Sequence, residues 1–461
     1  MTREFTTVDY EHSGQQRLTI NDCLPAEHLA RFIVNIVAML DLSVFYHHYA
    51  AVGGKPYDPK MLLALWLYGY ATGVFSSRKI EKATSEIIPF RFIAGGLHPD
   101  HDTIATFRKT FLGELKVVFA QVLLIASELG YLKLGNISLD GSKVHADASK
   151  SQAVSYGRLL KLEVRLQQEV EELLALGEQA DQNPLPDGLK VETELGFRQE
   201  RLVNLAEAKR ILEARAVERY QVERAEYQAK LQARAEKAQE SGRKPRGPEP
   251  KPPEQTGPKD KDQYNFTDPE SRIMKNCTNT GFDQHYNVQA AVDQGSMLVV
   301  GNTLSNHPVD TDEAIPTVDA IPVEIGRPDA AALDRGYFAP RNIEALQARG
   351  IDPFIATGRE AHHKSWQERF SLTPEPPGAE ASPIVKMAYK LQTEVGQAIY
   401  SLRKSTVEPV IGIIKEVLCF RQFSLRGLVA AAGEWSLVCL AWNLKRLHKL
   451  MGGHITVKVE K

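Results

Sequence analysis

The sequence predicts an α/β protein whose mixed sheet is interrupted by a long helical hairpin insertion and preceded by an all-helical domain. Three observations carry that expectation. Up to about residue 133, apolar residues recur at spacings of three and four without sustained alternation. Short apolar strand signals appear at Ile137 and Leu139 and then alternate with helical stretches between residues 283 and 356. Between these two regions, residues 151–240 carry helical spacing and almost no strand signal.

The bulk properties bound the answer further. At 461 residues the chain is too long for one typical domain. A content of 43% hydrophobic and 25% charged residues fits a globular protein with a sizeable core. Cys23, Cys277, Cys419 and Cys439 show no CxxC spacing, which argues against a zinc ribbon or a disulfide framework. The opening MTREFTTVDYEH lacks the apolar stretch of a signal peptide, and there is no run of 18 apolar residues, so a reduced, cytoplasmic setting is expected. The net charge of -2 is uninformative as a total, but its distribution is uneven. From residue 401 onward, 10 Lys and Arg stand against 4 Asp and Glu, a basic segment that is either a solvated tail or a phosphate-facing surface.

In chain order, Leu29, Ile33, Ile36 and Leu40 share one side of a helix read over residues 24–50. GGKPYDP breaks it, and Pro59 suits the first position of the next helix. His101 or Asp102 is placed to cap a helix carrying Ile104, Phe107 and Phe111, and one more apolar helix closes the part that ends near residue 133. KLGNISLDGSKVHADA then reads as a strand with Ile137 and Leu139 facing opposite to Ser138 and Asp140. Leu159, Leu162, Leu166, Val170 and Leu173, followed after NPLPDG by Leu195, Leu202, Leu205 and Leu212, predict two paired helices. The proline- and charge-rich stretch at 241–262 reads as a flexible linker. HYNVQAAVD and SMLVVGNTL form a predicted hairpin, then helix and strand alternate through 356, and the last 60 residues are helical.

Three acids stand out by position. Asp140 ends the first strand, Asp334 ends the short apolar strand of AAALDRGYF, and Glu408 lies in the first turn of a helix in YSLRKSTVEPVIGIIKE. With Thr406 as N-cap, Val407, Glu408 and Pro409 occupy the first three helical positions, where the missing proline N–H costs little. An acid there is either an ordinary helix-stabilising residue or the last member of a metal site. Gly412 and Lys415 share its side of the helix, and glycine inside a helix costs about 1 kcal/mol relative to alanine, which makes sense where another backbone comes close. Lys415, with Arg403 and Lys404 just before the helix, suits phosphates. A carboxylate among such groups repels nucleic acid unless a divalent cation intervenes, and three carboxylates are the hard oxygen ligands Mg²⁺ prefers. Asp147 reads as solvated or as an outer acid. His362 and His363 diverge on any regular element and lack an HExxH arrangement. Cys419 and Cys439 are expected to be buried.

GGKPYDPKMLLALWLYGYATGVFSSRKIEKA, HDTIATFRKTF, SLDGSKVHADASK, GFDQHYNVQAAVD, ALDRGYFAPRNIEAL and YSLRKSTVEPVIGIIK occur in an order over most of the chain that resembles the DDE transposases of bacterial insertion sequences. The resemblance is to the branch with a small helical domain before a ribonuclease-H-like catalytic domain. It implies Asp140, Asp334 and Glu408 as catalytic residues and ligands of two Mg²⁺ (or Mn²⁺) ions, and Tyr400, Arg403, Lys404 and Lys415 as DNA contacts. The family's arginine stands four residues before its glutamate, where this chain has Lys404 with Arg403 beside it. Lysine keeps the charge but loses the bidentate fork. The implied partner is double-stranded DNA, both element ends and target, engaged by a homodimer or higher oligomer. The implied division is a DNA-binding helical domain at 1–133, a catalytic domain at 134–150 and 263–461, the hairpin at 151–240 and the linker at 241–262. A metal-dependent nuclease without strand transfer, or an inactive DNA-binding relic, are the alternatives.

Overall fold

The computed structural model describes residues 19–49, 56–179, 184–241, 247–254, 257–276, 281–358, 375–378 and 380–453. By compactness the chain divides into two units, residues 1–145 with 286–461 and residues 146–285.

The first unit opens with helices α1 (Leu29–Met39), α2 (Ser43–His47), α3 (Pro59–Thr72), α4 (Ser77–Glu86), α5 (Ile88–Ile93), α6 (His101–Thr110) and α7 (Leu115–Glu128). The single helix expected over 24–50 is broken: Leu40 turns extended, and Asp41 Oδ1 accepts the amide of Ser43 at 2.9 Å to start α2. Asp58 caps α3 ahead of Pro59, and Gly73, at φ 81°, ends it in the left-handed region. The cap of α6 is Asp100, one residue before the expected pair. Its carboxylate takes the Thr103 amide at 2.8 Å and the Thr103 hydroxyl at 2.7 Å. His101 is the first helical residue instead and pairs through Nδ1 with Glu81 at 2.9 Å. Strand β1 (Asn136–His145) follows.

The second unit contains β2 (Ala153–Ser155), α8 (Tyr156–Gln179), α9 (Val191–Ser241), β3 (Gln263–Asn265) and β4 (Arg272–Lys275). The expected hairpin is present. Leu159 and Leu166 of α8 pack on Leu205, Ala208 and Leu212 of α9, with Val154 and Tyr264 from the antiparallel β2–β3 pair closing the cluster. A Lys209–Glu163 ion pair at 2.9 Å joins the two helices. The described parts of the stretch after α9, residues 247–254 and 257–262, carry no helix or strand. β5 (Phe282–Asp293) begins in this unit, paired antiparallel with β4, and continues into the first unit.

Back in the first unit come β6 (Val299–Ser305), α10 (Ala314–Asp319), β7 (Ala330–Leu333), α11 (Pro340–Ala348), β8 (Asp352–Ile355), α12 (Pro383–Gln392), α13 (Glu394–Ser401), α14 (Val407–Glu416) and α15 (Leu428–Leu450). The mixed sheet runs β6–β5–β1–β7–β8, with β1, β7 and β8 parallel and β5 and β6 antiparallel. Its centre is apolar: Ile137, Leu139 and all of β7 are buried, as parallel strands covered on two faces require. The apolar α15 packs on β6, α3 and α7. Asn443 of α15 bonds both the amide and the carbonyl of Val299, at 2.8 and 2.7 Å. A buried polar network seats the same helix: Glu434 accepts from the Tyr70 hydroxyl at 2.7 Å, the Ser424 hydroxyl at 2.6 Å and two backbone amides, while Arg108 donates to Tyr70 and lies 4.3 Å over Trp66. With every oxygen lone pair of Glu434 engaged, a fully buried carboxylate is tolerated there. Cys439 is buried on α15, but Cys419 is exposed, beyond the end of α14 and at φ 61°, contrary to expectation. Among the described residues, no single helix is long and apolar enough to cross a membrane.

Candidate active site

Parallel pairing of β1 with β7 puts Leu139 opposite Leu333, so Asp140 and Asp334 are the next residues on neighbouring strands. Asp334 follows the end of β7, but Asp140, expected to end its strand, lies in the middle of β1, which runs on to His145 beyond the last residue of its β7 partner. Both acids therefore stand at the carboxyl edge of β7. In open α/β sheets that edge is where ligands bind. Asp334 Oδ1 takes the Gly336 amide at 2.7 Å and so caps the tight turn Arg335–Tyr337. Asp140 Oδ1 takes the amide of Gly141 at 2.9 Å.

The third acid joins this pair through an arginine. Arg403 sits in the short 3₁₀ turn Leu402–Ser405 before α14 and is buried. Its Nη2 stands 2.7 Å from Asp140 Oδ2 and its Nη1 3.1 Å from Glu408 Oε1. Thr406 is the residue before α14, as expected, but its hydroxyl does not cap the helix. It donates to the Leu402 carbonyl at 2.7 Å and meets Ser138 Oγ of β1 at 2.9 Å, tying the turn that carries Arg403 to the strand that carries Asp140. Lys404, the neighbour, is exposed.

Charge and burial pull against one another here. Burial pushes the Asp140 carboxyl up to about 6, with Arg403 holding it down and the charge of Asp334 adding to the rise. Burial also raises Asp334, opposed by Arg403 and reinforced by Asp310. For Arg403, burial works downward, but Asp140 and Asp334 outweigh it and hold the guanidinium above its usual value, with Tyr400 and Glu408 adding smaller contributions.

Lys415 faces the same strand. Its Nζ donates to Ser142 Oγ at 2.5 Å and to the Lys143 carbonyl at 2.8 Å. A Cβ on Gly412 would meet nothing within 4 Å, so protein packing does not call for glycine at this position. His362 and His363 lie outside the described residues.

One acid near the site went unnoticed in the sequence. Asp310, in the loop between β6 and α10, accepts at Oδ1 from Asn287 Nδ2 at 2.7 Å and Gln289 Nε2 at 2.9 Å, with Lys143 Nζ at 3.5 Å. Only an acid following a strand signalled it, and NHPVDTDEA offers several.

Among the described residues, no three His, Cys, Asp or Glu side chains form a ready-made group for one ion. Asp140 and Asp334 nevertheless fit a divalent cation: they are oxygen donors on neighbouring strands, desolvated and mutually repelling, and each is held by the positive charge of Arg403. Among the described residues, Glu408 is linked to them through that guanidinium.

A mixed sheet in the order β6–β5–β1–β7–β8, interrupted by a helical hairpin and preceded by helices, is the ribonuclease-H-like α/β class of fold. Residues 18–110 match the family model described as Transposase domain (DUF772), and residues 369–448 match the one described as Transposase DDE domain. Both matches are to transposase families, and their order, a helical amino-terminal region ahead of a DDE domain, is that of the DDE transposases. The second match takes in Arg403, Glu408 and Lys415, while Asp140 and Asp334 lie outside both. No curated protein and no solved structure matches the chain.

Proposed function

We propose that the chain cuts DNA at the ends of an insertion sequence and transfers the freed 3′-hydroxyl ends to target DNA by divalent-metal-dependent phosphoryl transfer. The observation that carries this reading is the gathering of Asp140, Asp334 and Glu408 around Arg403 where the pairing of β1 with β7 ends.

In this reading Asp140, Asp334 and Glu408 hold two Mg²⁺ or Mn²⁺ ions. Bound there, such ions supply activation of the attacking oxygen and stabilisation of the leaving one. The residues' own work is to keep three carboxylates ionised at one edge of the sheet and to orient the scissile phosphodiester over it. Arg403, Lys404 and Lys415 neutralise backbone phosphates beside the acids, and Tyr400 flanks them. Gly412 leaves room on α14 for a sugar-phosphate backbone to approach. Water adds to phosphorus at the element end as the bond to the 3′-oxygen breaks, and the released 3′-hydroxyl then bonds to a target phosphorus while the target strand's 3′-oxygen leaves. No side chain is esterified in either step. Residues 1–133 act as a DNA-binding region, and the protein works as a dimer or higher oligomer on DNA.

The test is incubation of the full chain with an end-containing duplex, a labelled target plasmid and Mg²⁺. The reading expects cut ends covalently joined to the plasmid. Cutting without joining would leave a nuclease, and neither would leave a DNA-binding relic.

A further inference from the structure

We propose that Asp310 is a positioning residue of this acid site, fixing the spacing at which β1 and β7 present Asp140 and Asp334. The inference rests on the transposase reading above and adds a residue to it.

The carboxylate of Asp310 lies between the backbone next to one aspartate and the backbone next to the other. On the β1 side, a Cβ on Gly141 would run into Gln289 and would stand 2.8 Å from Asp310 Oδ1. On the β7 side, a Cβ on Gly336 would stand 3.0 Å from Asp334 Oδ1 and 3.5 Å from Asp310 Oδ2. Glycine follows Asp140 directly and Asp334 after one residue; at Gly141 the space a side chain would take is filled by Gln289 and Asp310, and at Gly336 Asp310 comes within ordinary contact distance beside Asp334 itself.

What holds Asp310 there is a convergence of donors. Asn287 and Gln289, buried on β5, and the ammonium of Lys143, three residues past Asp140 on β1, all address the single oxygen Oδ1. Charge-assisted bonds of this kind are stronger than neutral ones, which favours a carboxylate over an amide at residue 310. Gln289 extends the chain of contacts, because its Oε1 accepts from the hydroxyl of Tyr337, a fully buried residue in the turn that Asp334 opens. The next residue grips the same turn: Thr311 Oγ1 donates to the Gly336 carbonyl at 2.9 Å. Asn342 Nδ2 then bonds the carbonyls of Thr311 and Tyr337, at 2.6 and 2.8 Å. Strand β5, strand β1 and the turn after β7 are thus pinned to one another through Asp310 and its neighbour. Among the described residues its contacts run to β1, β5 and the turn after β7 rather than to Arg403 or Glu408, so it acts on the two aspartates and not on the third acid.

The experiment compares full-length wild type with Asp310→Ala, Asp310→Asn and Asp140→Asn. It reads kcat and KM for cutting an end duplex with Mg²⁺, Mn²⁺ affinity without DNA by electron paramagnetic resonance, and Tm. Loss of an orienting partner of metal-holding groups typically costs 10–100-fold, so Asp310→Ala is expected to lower kcat and weaken Mn²⁺ binding by about that factor with KM for DNA unchanged. Asp310→Asn is expected to fall between, since its carboxamide oxygen still accepts from Asn287 and Gln289. Wild-type kcat and Mn²⁺ affinity in Asp310→Ala would overturn the inference. So would equal losses in both Asp310 variants that follow a common drop in Tm, which is the mark of a merely structural residue. Asp140→Asn separates the two levels: if it keeps cutting and Mn²⁺ binding, the site reading itself fails. If it loses both while Asp310→Ala does not, only the role of Asp310 fails.

Discussion

Arg403 Nη2 stands 2.7 Å from Asp140 Oδ2, so a guanidinium from the turn before α14 lies against one sheet acid and within the field of the other, Asp334. The same group reaches Glu408, and its Nε is buried without a hydrogen-bond partner among the described residues. A basic residue read from sequence as a DNA contact is therefore, without DNA, the counter-charge of the acids. On the proposed function, Arg403 exchanges these carboxylates for phosphate when DNA and cation arrive.

That exchange predicts opposite effects of Arg403→Gln on two measurements. Without divalent ions the variant loses stability, about 2 kcal/mol once the exposure of Glu408 is discounted from the cost of breaking a buried pair. With the competing charge gone, Mn²⁺ binds the DNA-free variant about tenfold more tightly and restores more Tm than it adds to wild type. Lys404→Gln removes the same formal charge from an exposed neighbour and is the control. Equal Mn²⁺ affinities in wild type and Arg403→Gln would show that the guanidinium does not compete with the ion.

Asp140 gives the site a pH signature. Its carboxyl is raised from 3.8 to about 6 in the folded chain, chiefly by burial. A raised carboxyl binds its proton more tightly folded than unfolded, so its contribution to stability is present below the unfolded value and is lost as pH rises through the folded one. Between about pH 4 and pH 6 this amounts to at most ~3 kcal/mol. Asp140→Asn should abolish that fall and be no less stable than wild type at pH 7.5, as expected where function keeps a costly buried charge. Chemical denaturation at a series of pH values checks it. A variant clearly less stable at neutral pH would show that the Arg403 pair outweighs burial.

Much of the fold was legible because local chemistry agrees with it. The all-apolar β7, the alternation in β1, the leucine spacing of α8 and α9, and Pro59 after Asp58 each led to an element that is present. The misses have local causes of another kind. Apolar spacing runs on through Leu40, but Asp41 competes for the Ser43 amide and breaks the helix. In PDHD three residues are plausible caps, and Asp100 prevails because Thr103 supplies it with both an amide and a hydroxyl. Asp334 and Glu408 were legible as strand-end and first-turn residues, whereas Asp140 was read as the end of a strand that in fact runs on to His145. The inward aim of Arg403 was not, since it depends on Asp140 far away in sequence, and neither was Asp310, whose loop has no periodicity and whose donors lie on β1 and β5.

Gly412 offers a separation of folding from binding. A methyl there would touch nothing in the protein, so Gly412→Ala should gain about 1 kcal/mol from helix propensity. If the open face of α14 receives a DNA backbone, the same variant should bind an end duplex more weakly. Tm and a binding titration on one preparation decide it, and higher Tm with unchanged affinity would remove DNA from that face.

Lys415 is anchored to β1 through Ser142 and the Lys143 carbonyl, which holds its ammonium on the strand that carries Asp140. One phosphate contact is worth about one unit of the slope of log K against log salt, so Lys415→Ala should lower that slope by about 1. An unaltered slope would make Lys415 a purely intramolecular tie.

The most direct test of the central claim, that Asp140, Asp334 and Glu408 act as one cation-holding unit, is cutting and joining by Glu408→Gln in Mg²⁺. Glutamine preserves size and the position in the first turn of α14 but removes the charge. Cleavage of an end duplex and its joining to a target plasmid should fall by orders of magnitude while binding to the duplex survives. Adding Asp140→Asn or Asp334→Asn should cost little more, because groups that act together are not additive. Wild-type cutting and joining by Glu408→Gln would contradict the account.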